Sequence, residues 1–238
     1  MEDVYNMVRR QVALYRAYDA RQQQGQRAGR GKQGGLSYGP YLLISREQGA
    51  GGSAIGQRVG KCFGWQVFDR EIIDAIAERA HVRRELIESL DEHDRATLLE
   101  AIHALFHPQP IEARGYLAYL REVLFALGHQ GDVVIIGRAA TYALPSRFGL
   151  RVRVVAPLEA RARRVASDKN VSPEAARAEV EASDRERTRL VQRNYERNLA
   201  DPLNYDLTIN TVELSIEAAS ELVIAGLERK LGVKPKGK

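Results

Sequence analysis

From Leu42 to Gly56 the chain reads Leu-Leu-Ile-Ser-Arg-Glu-Gln-Gly-Ala-Gly-Gly-Ser-Ala-Ile-Gly: an apolar run, three glycines at Gly49, Gly51 and Gly52, then apolar residues at helical spacing. Glycines let backbone N–H groups turn inward, and a helix start adds unpaired donors and the positive end of a dipole, so the segment suits phosphate. The nucleotide phosphate-loop pattern G-x-x-x-x-G-K-[ST] falls on Arg46 to Ser53. Gly51 matches its second glycine and Ser53 its hydroxyl, with Ala50 between the glycines, but Arg46 stands at the first glycine and Gly52 where lysine is usual. That lysine normally gives the donor phosphates a point charge. Arg46, at the mouth of the loop, is one substitute; Lys61 is a poor one, lying about 13 Å beyond Gly52 along a helix. A plain structural turn fits the same residues, so the loop by itself leaves both readings open.

Other apolar runs end in charge. Phe68-Asp69-Arg70 sets a carboxylate and a guanidinium where a metal ion and an acceptor phosphate would sit, and Gly137-Arg138 closes the run from Asp132. Arg161, Arg163 and Arg164 follow a fourth run, and Asp184-Arg185-Glu186-Arg187 lies among Arg177, Arg189, Arg193 and Arg197. Guanidinium forks match phosphate oxygens in pairs, so a hinged arginine-rich segment makes a lid, and phosphoryl transfer needs mostly such positioning and charge neutralisation. Interleaving with Glu159, Glu181 and Glu196 equally describes a solvated helix face with i,i+4 pairs. Asp69 equally caps the next helix. Arg138 has the better functional case, since an arginine directly after an apolar strand and a glycine has few structural reasons to be there.

These residues need strands that end at one edge. Short apolar runs predict strands at 41–46, 65–68, 132–137, 152–155 and 207–209, separated by helices over 53–63, 70–90, 95–106, 111–127 and a long helical stretch between the fourth and fifth strands, with a last helix at 215–231. Ser172 caps a helix with Pro173 in its first turn. Alternating strand and helix argues for an α/β fold with a parallel sheet flanked by helices, ligands binding at the carboxyl ends of the strands. Residues 1–22 read as a helix suited to an oligomer contact, 23–39 as a flexible linker, 40–232 as the compact domain and 233–238 as a disordered tail.

Composition bounds the rest. The chain has 238 residues, 44% of them hydrophobic, one cysteine (Cys62), and a formal charge of +5 with a pI near 9.4, which favours anionic partners. No apolar run approaches a membrane span, and the acidic start and lone cysteine point to the cytoplasm. His103 and His107 lack the glutamate of H-E-x-x-H, so metal binding there is disfavoured. The basic linker lacks the interleaved aromatics of a nucleic-acid stacking platform.

In order, Ile44-Ser-Arg-Glu-Gln-Gly-Ala-Gly-Gly-Ser53, Val67-Phe-Asp-Arg-Glu-Ile-Ile73, Val134-Ile-Ile-Gly-Arg-Ala-Ala140, Arg153-Val-Val-Ala-Pro-Leu-Glu-Ala-Arg161, Asp184-Arg-Glu-Arg187 and Tyr205-Asp-Leu-Thr-Ile-Asn-Thr211 resemble the cytidylate kinase-like family, a divergent branch of the P-loop nucleoside monophosphate kinases. The resemblance spans about residues 40–232 and includes a loop from which the lysine is commonly absent. It implies a three-layer P-loop kinase fold with a five-stranded parallel sheet and an arginine-rich helical lid. It also implies transfer of the ATP γ-phosphate to a nucleoside monophosphate, most simply CMP or dCMP, with Mg²⁺. On that model Gly49 to Ser53 and Arg46 hold the donor, Thr211 lies near its base, and Ser53 and Asp69 meet the metal. Arg70, Arg138 and Asp184 bind the acceptor, while Arg161, Arg185 and Arg187, with Asp69, serve the transfer. Two other classes stay open: a nucleotide-binding sensor or scaffold without turnover, which would bind ATP tightly and release no ADP, and a nucleic-acid binder, whose binding would depend steeply on salt and ignore ATP.

Overall fold

The computed structural model describes residues 38–69 and 113–236; the helices expected over 1–22, 70–90 and 95–106, most of the linker, and residues 237–238 lie outside them. In chain order the elements are β1 (Tyr41–Arg46), α1 (Gly52–Phe63), β2 (Gln66–Phe68), α2 (Ala113–Gln130), β3 (Val133–Ile136), α3 (Ala140–Ala143), β4 (Gly149–Val155), α4 (Leu158–Lys169), α5 (Pro173–Tyr195), β5 (Leu207–Asn210) and α6 (Ile216–Leu231). The chain divides into two compact units, residues 1–39 with 71–131, and 40–70 with 132–238, so the span expected as one domain is shared between them. In the first unit α2 runs to Gln130, three residues past expectation. There the Gly39 N–H donates to the Gly128 carbonyl at 3.1 Å and the Tyr38 ring stacks on His129.

The second unit holds a five-stranded sheet in the order β2-β3-β1-β4-β5, every pair parallel. This is the expected P-loop kinase arrangement. β1 is central: the chain leaves it towards β2 on one side, and the connection from β3 crosses past it to β4 on the other, so the loop after β1 opens at the switch point where such sheets bind ligands. Val133, Val134, Ile135 and Ile136 are all closed to solvent, which is why β3 is a continuous β-branched run rather than an alternating one. Leu42, Ile44, Val134 and Val152 pack with Ile55, Val59 and Phe63 of α1 and with Ala219, Val223 and Leu227 of α6. A Cβ at Gly56 would stand 2.7 Å from Ile136 Cδ1, so a glycine there lets α1 lie close against the sheet.

Two boundaries moved for reasons outside local pattern. β4 begins at Gly149, three residues before expectation, because Gly149, Leu150 and Arg151 pair with Tyr41, Leu42 and Leu43. The tail, expected to be disordered from 233, returns to the unit: Val233 packs on the core, Pro235 is buried, and the Lys236 N–H donates to the Cys62 carbonyl at 3.0 Å.

Asp206 ties β4 and β5 to α6. Its carboxylate accepts from the Arg151 N–H at 2.8 Å, Arg151 Nη2 at 2.9 Å and Lys230 Nζ at 2.6 Å. Burial pushes this carboxyl up, but the hydrogen bonds from Arg151 and Lys230 outweigh it and hold the group below its ordinary value. The folded pKa is therefore lowered, so the stability it confers is complete above the ordinary aspartate range of about 4 and is lost as pH falls through the folded value. Asp206→Asn is expected to lower unfolding free energy at neutral pH and to lose that deficit progressively in acid, read from urea melts of both proteins across pH.

Candidate functional site

Gly49 and Gly51 hold left-handed backbone, φ 77° and 83°, and Gly51 caps α1 without a side chain. The first bond inside the helix runs from the Ile55 N–H to the Gly51 carbonyl at 3.1 Å, so the amides of Gly52, Ser53 and Ala54 stand above the ladder as the donors expected of a phosphate-binding turn. The loop's carbonyls are bound elsewhere. The buried Thr211 hydroxyl donates to the Ala50 carbonyl at 2.8 Å; Arg164 Nη1 donates to the Gly49 carbonyl at 3.2 Å and to Thr211 Oγ1 at 3.1 Å, while Nη2 donates to the Thr211 carbonyl at 2.6 Å. With its acceptors thus engaged, the turn presents donors. A cleft beside it is lined by Gly49, Gly51, Ala54, Arg164, Thr211 and the residues up to Ile216, which places Thr211 where the loop after β5 meets the phosphate turn. Thr211→Val leaves the Ala50 carbonyl without its hydroxyl donor and is expected to cost about 1–3 kcal/mol in urea unfolding.

A second cleft opens at the ends of β1 and β3, lined by Ser45, Arg46, Gly137, Arg138, Thr141, Tyr142, Glu186, Arg187 and Leu199 among others. Three guanidinium groups and one carboxylate share it, a balance that favours an anion. Gly137, Arg138 and Ala139 are consecutively left-handed, φ 85°, 51° and 53°. Each non-glycine in that region costs roughly 1–2 kcal/mol. The turn is held by the Gly137 N–H to the Ile44 carbonyl at 2.8 Å and the Ala140 N–H to the Gly137 carbonyl at 3.2 Å. Strain retained at a cleft is an outlier that points to function. Tyr142 donates to Tyr205 Oη at 3.0 Å, since the Tyr205 hydroxyl itself donates to the Leu199 carbonyl at 2.8 Å. Burial first, and then the Tyr205 hydrogen bond, push the Tyr142 phenol far above its ordinary value, so it stays protonated and orients rather than accepts protons.

Behind both clefts lies a charged hub. Glu47 accepts from Arg153 Nη2 at 3.2 Å and from the Ala156 N–H at 3.2 Å, and it pairs with Arg161 Nε at 3.3 Å. Arg153 and Arg161 are only 7% and 5% exposed. Arg153 Nη1 donates to Ser45 Oγ at 3.2 Å; Arg161 Nε donates to the Ala156 carbonyl at 2.7 Å, and its Nη1 meets Asp184 Oδ2 at 2.9 Å. Arg161, expected to gather substrate charge, therefore has its donors directed inward, which fits a positioning role. Asp184, expected at the acceptor, bridges Arg161 and, at 3.8 Å, Arg187. Arg187 reaches the second cleft, whereas Arg185 is exposed and pairs with Glu181 at 3.8 Å, the solvated-face alternative. α4 and α5, the stretch expected as an arginine-rich lid, pack as two helices around Val165, Ala176 and Val180, with Ser172 capping α5 through the Ala175 N–H. Asp69 follows β2 at the same strand edge, and Arg70 lies outside the described residues. Glu47, Tyr142 and Tyr205 were not foreseen; the signal available was Arg153, a charge set between Val152 and Val154 of β4.

Among the described residues no three His, Cys, Asp or Glu side chains gather to hold a metal, and no helix is long and apolar enough to cross a membrane. Mg²⁺ in phosphotransfer is commonly held by substrate phosphates, water and one or two protein oxygens. The exposed Ser53 in the first turn of α1 fits that modest requirement.

Residues 42–213 match the family model described as the cytidylate kinase-like family. A cytidylate kinase from Halobacterium salinarum is 30% identical over 97 residues, which cover 41% of this chain and 50% of that one. A uronate isomerase from Corynebacterium glutamicum is 32% identical over 111 residues, 46% of this chain and 21% of that enzyme. The chain thus spans half or less of the length of these curated relatives. Among solved structures, an uncharacterised protein from Eubacterium ventriosum superposes with a TM-score of 0.60 at 15% identity, covering 79% of this chain and 98% of that one, which supports the fold alone.

Proposed function

Because the chain belongs to the cytidylate kinase-like family, we propose that it transfers the γ-phosphoryl group of ATP to a nucleoside monophosphate, CMP or dCMP foremost. The carrying observation is the glycine turn whose Gly52, Ser53 and Ala54 amides stand above the α1 ladder, beside a cleft containing Arg46, Arg138 and Arg187. The donor's phosphates lie on the turn and its base beside Thr211. The acceptor's phosphate lies against Arg138 and Arg187, with Asp69 at the neighbouring strand end. An acceptor phosphate oxygen forms the new bond to the γ-phosphorus as the bond to the β–γ bridging oxygen breaks; that oxygen leaves with the electron pair on ADP, and the acceptor becomes a diphosphate. Most of the catalytic effect in such a step comes from alignment and neutralisation of charge. Arg161, Asp184 and Glu47 hold Arg187 and the loop in place. Mg²⁺, when bound at the donor phosphates and the Ser53 hydroxyl, supplies further neutralisation.

Coupled ADP release with CMP, dCMP, UMP and AMP tests this reading. Turnover is expected with the cytidine nucleotides, and folded protein that turns over none of the four with Mg·ATP overturns it. Gly52 favours a second reading, a nucleotide-binding protein without chemistry, which tight Mg·ATP binding with no ADP release would establish.

A further inference from the structure

The standard loop has glycine where this chain has Arg46 and lysine where it has Gly52, and the structure shows that the two departures are linked in space. A Cβ at Gly52 would stand 3.1 Å from Arg46 Cγ and 2.6 Å from Arg46 Cβ, the latter closer than carbon atoms approach, so a side chain at 52 collides with the stem of Arg46. Gly52 does not have positive φ, so clearance and not backbone conformation is what requires glycine there. The other end of the same side chain has its own clearance. A Cβ at Gly137 would stand 2.2 Å from Arg46 Nη1 and 3.3 Å from Cζ. One glycine admits the stem of Arg46 and another admits its head.

We infer that glycine and cation have exchanged places in this loop, Arg46 crossing Gly52 to put a guanidinium on the donor's phosphates where a lysine at position 52 would put an ammonium. The inference rests on the phosphotransfer reading above. The stem of Arg46 lies against Gly52 in the turn, and its head lies at the carboxyl end of β3, in the cleft that also holds Arg138 and Arg187. A guanidinium there is charged at any working pH and engages two phosphate oxygens at once, which an ammonium does not. The loop's missing lysine is then a relocation of charge and not its loss.

The exchange is reversible by mutation. Arg46→Gly with Gly52→Lys restores the sequence of the standard loop, and the two single variants complete a cycle. Arg46→Gly is expected to lose about 100-fold in ADP release and to bind Mg·ATP more weakly. Gly52→Lys alone is expected to melt below the wild type and to gain nothing, its side chain colliding with the stem of Arg46. The double variant is expected to recover at least about tenfold over Arg46→Gly in both transfer and Mg·ATP affinity. Folding of each variant is checked by circular dichroism and melting temperature. Wild-type transfer and affinity in Arg46→Gly, or a folded double variant no better than Arg46→Gly, overturns the exchange. Wild-type protein that binds Mg·ATP without turnover overturns the phosphotransfer reading alone, and the calorimetric arm of the cycle then decides Arg46. Wild-type protein that binds no Mg·ATP overturns both.

Discussion

Glu47→Ala is expected to destabilise the fold by about 3 kcal/mol, because it leaves Arg153 and Arg161, both closed to solvent, without the carboxylate between them. The intact hub is no proof of net stabilisation, since removing three charges from water offsets much of their attraction. Breaking it is different, for the desolvation remains and the attraction goes. Glu47 is itself about a fifth exposed, with its side chain at 22%, so water that enters the variant moderates the loss. In a chain of this size such a deficit lowers the melting temperature by about 6–12 °C. Glu47→Gln keeps an acceptor for the Ala156 N–H and should recover part of the difference. The consequence reaches the site, because Arg161 also holds Asp184, and a Cβ at Gly49 would lie 2.6 Å from the Arg161 carbonyl. Equal melting of Glu47→Ala and wild type would show that Arg153 and Arg161 find other partners and that the hub is not what fixes the loop against α4.

How much of this was legible depends on whether the cause is local. β1 and β3 are legible because a parallel strand covered on both faces must be apolar at every position. The start of α5 is legible because Ser172 satisfies the Ala175 N–H from within four residues. The first residues of β4 are not, since Gly149-Leu150-Arg151 becomes a strand through its pairing with β1 more than a hundred positions away. The same division runs through the site. The glycine turn and the Gly137-Arg138 pair announce themselves as chain-local oddities. Charge pairing along one helix is also foreseeable, as Arg177 with Glu181 at 3.2 Å illustrates. Arg161 and Arg153 look like substrate ligands or surface charges until the fold brings Glu47 between them, and no spacing rule connects positions 47, 153 and 161. The relation of Arg46 to Gly52 lies between these cases. Both departures from the loop pattern are visible in the sequence, but their mutual exclusion needs the curvature of the turn.

Arg138→Ala is expected to reduce phosphoryl transfer by about 100-fold or more while leaving Mg·ATP affinity within about twofold. The asymmetry follows from placement, since Arg138 follows β3 and is absent from the lining beside Thr211, whereas the stem of Arg46 in the same cleft lies against Gly52 of the turn. Arg138→Lys keeps the charge and loses the fork, so it should fall between, with most of the loss in acceptor KM if the guanidinium mainly binds and in kcat if it tightens on the reacting phosphate. Backbone conformation supplies a control that a merely structural arginine would not pass. Residue 138 has φ 51°, a region that alanine occupies under strain and glycine does not. Arg138→Gly should therefore melt no lower than Arg138→Ala and still lose transfer. Stability and activity would then move independently at one position, which is the signature of strain kept for the sake of the side chain it aims. Unchanged turnover in both variants would remove Arg138 from the acceptor site and leave its left-handed backbone without a functional reason.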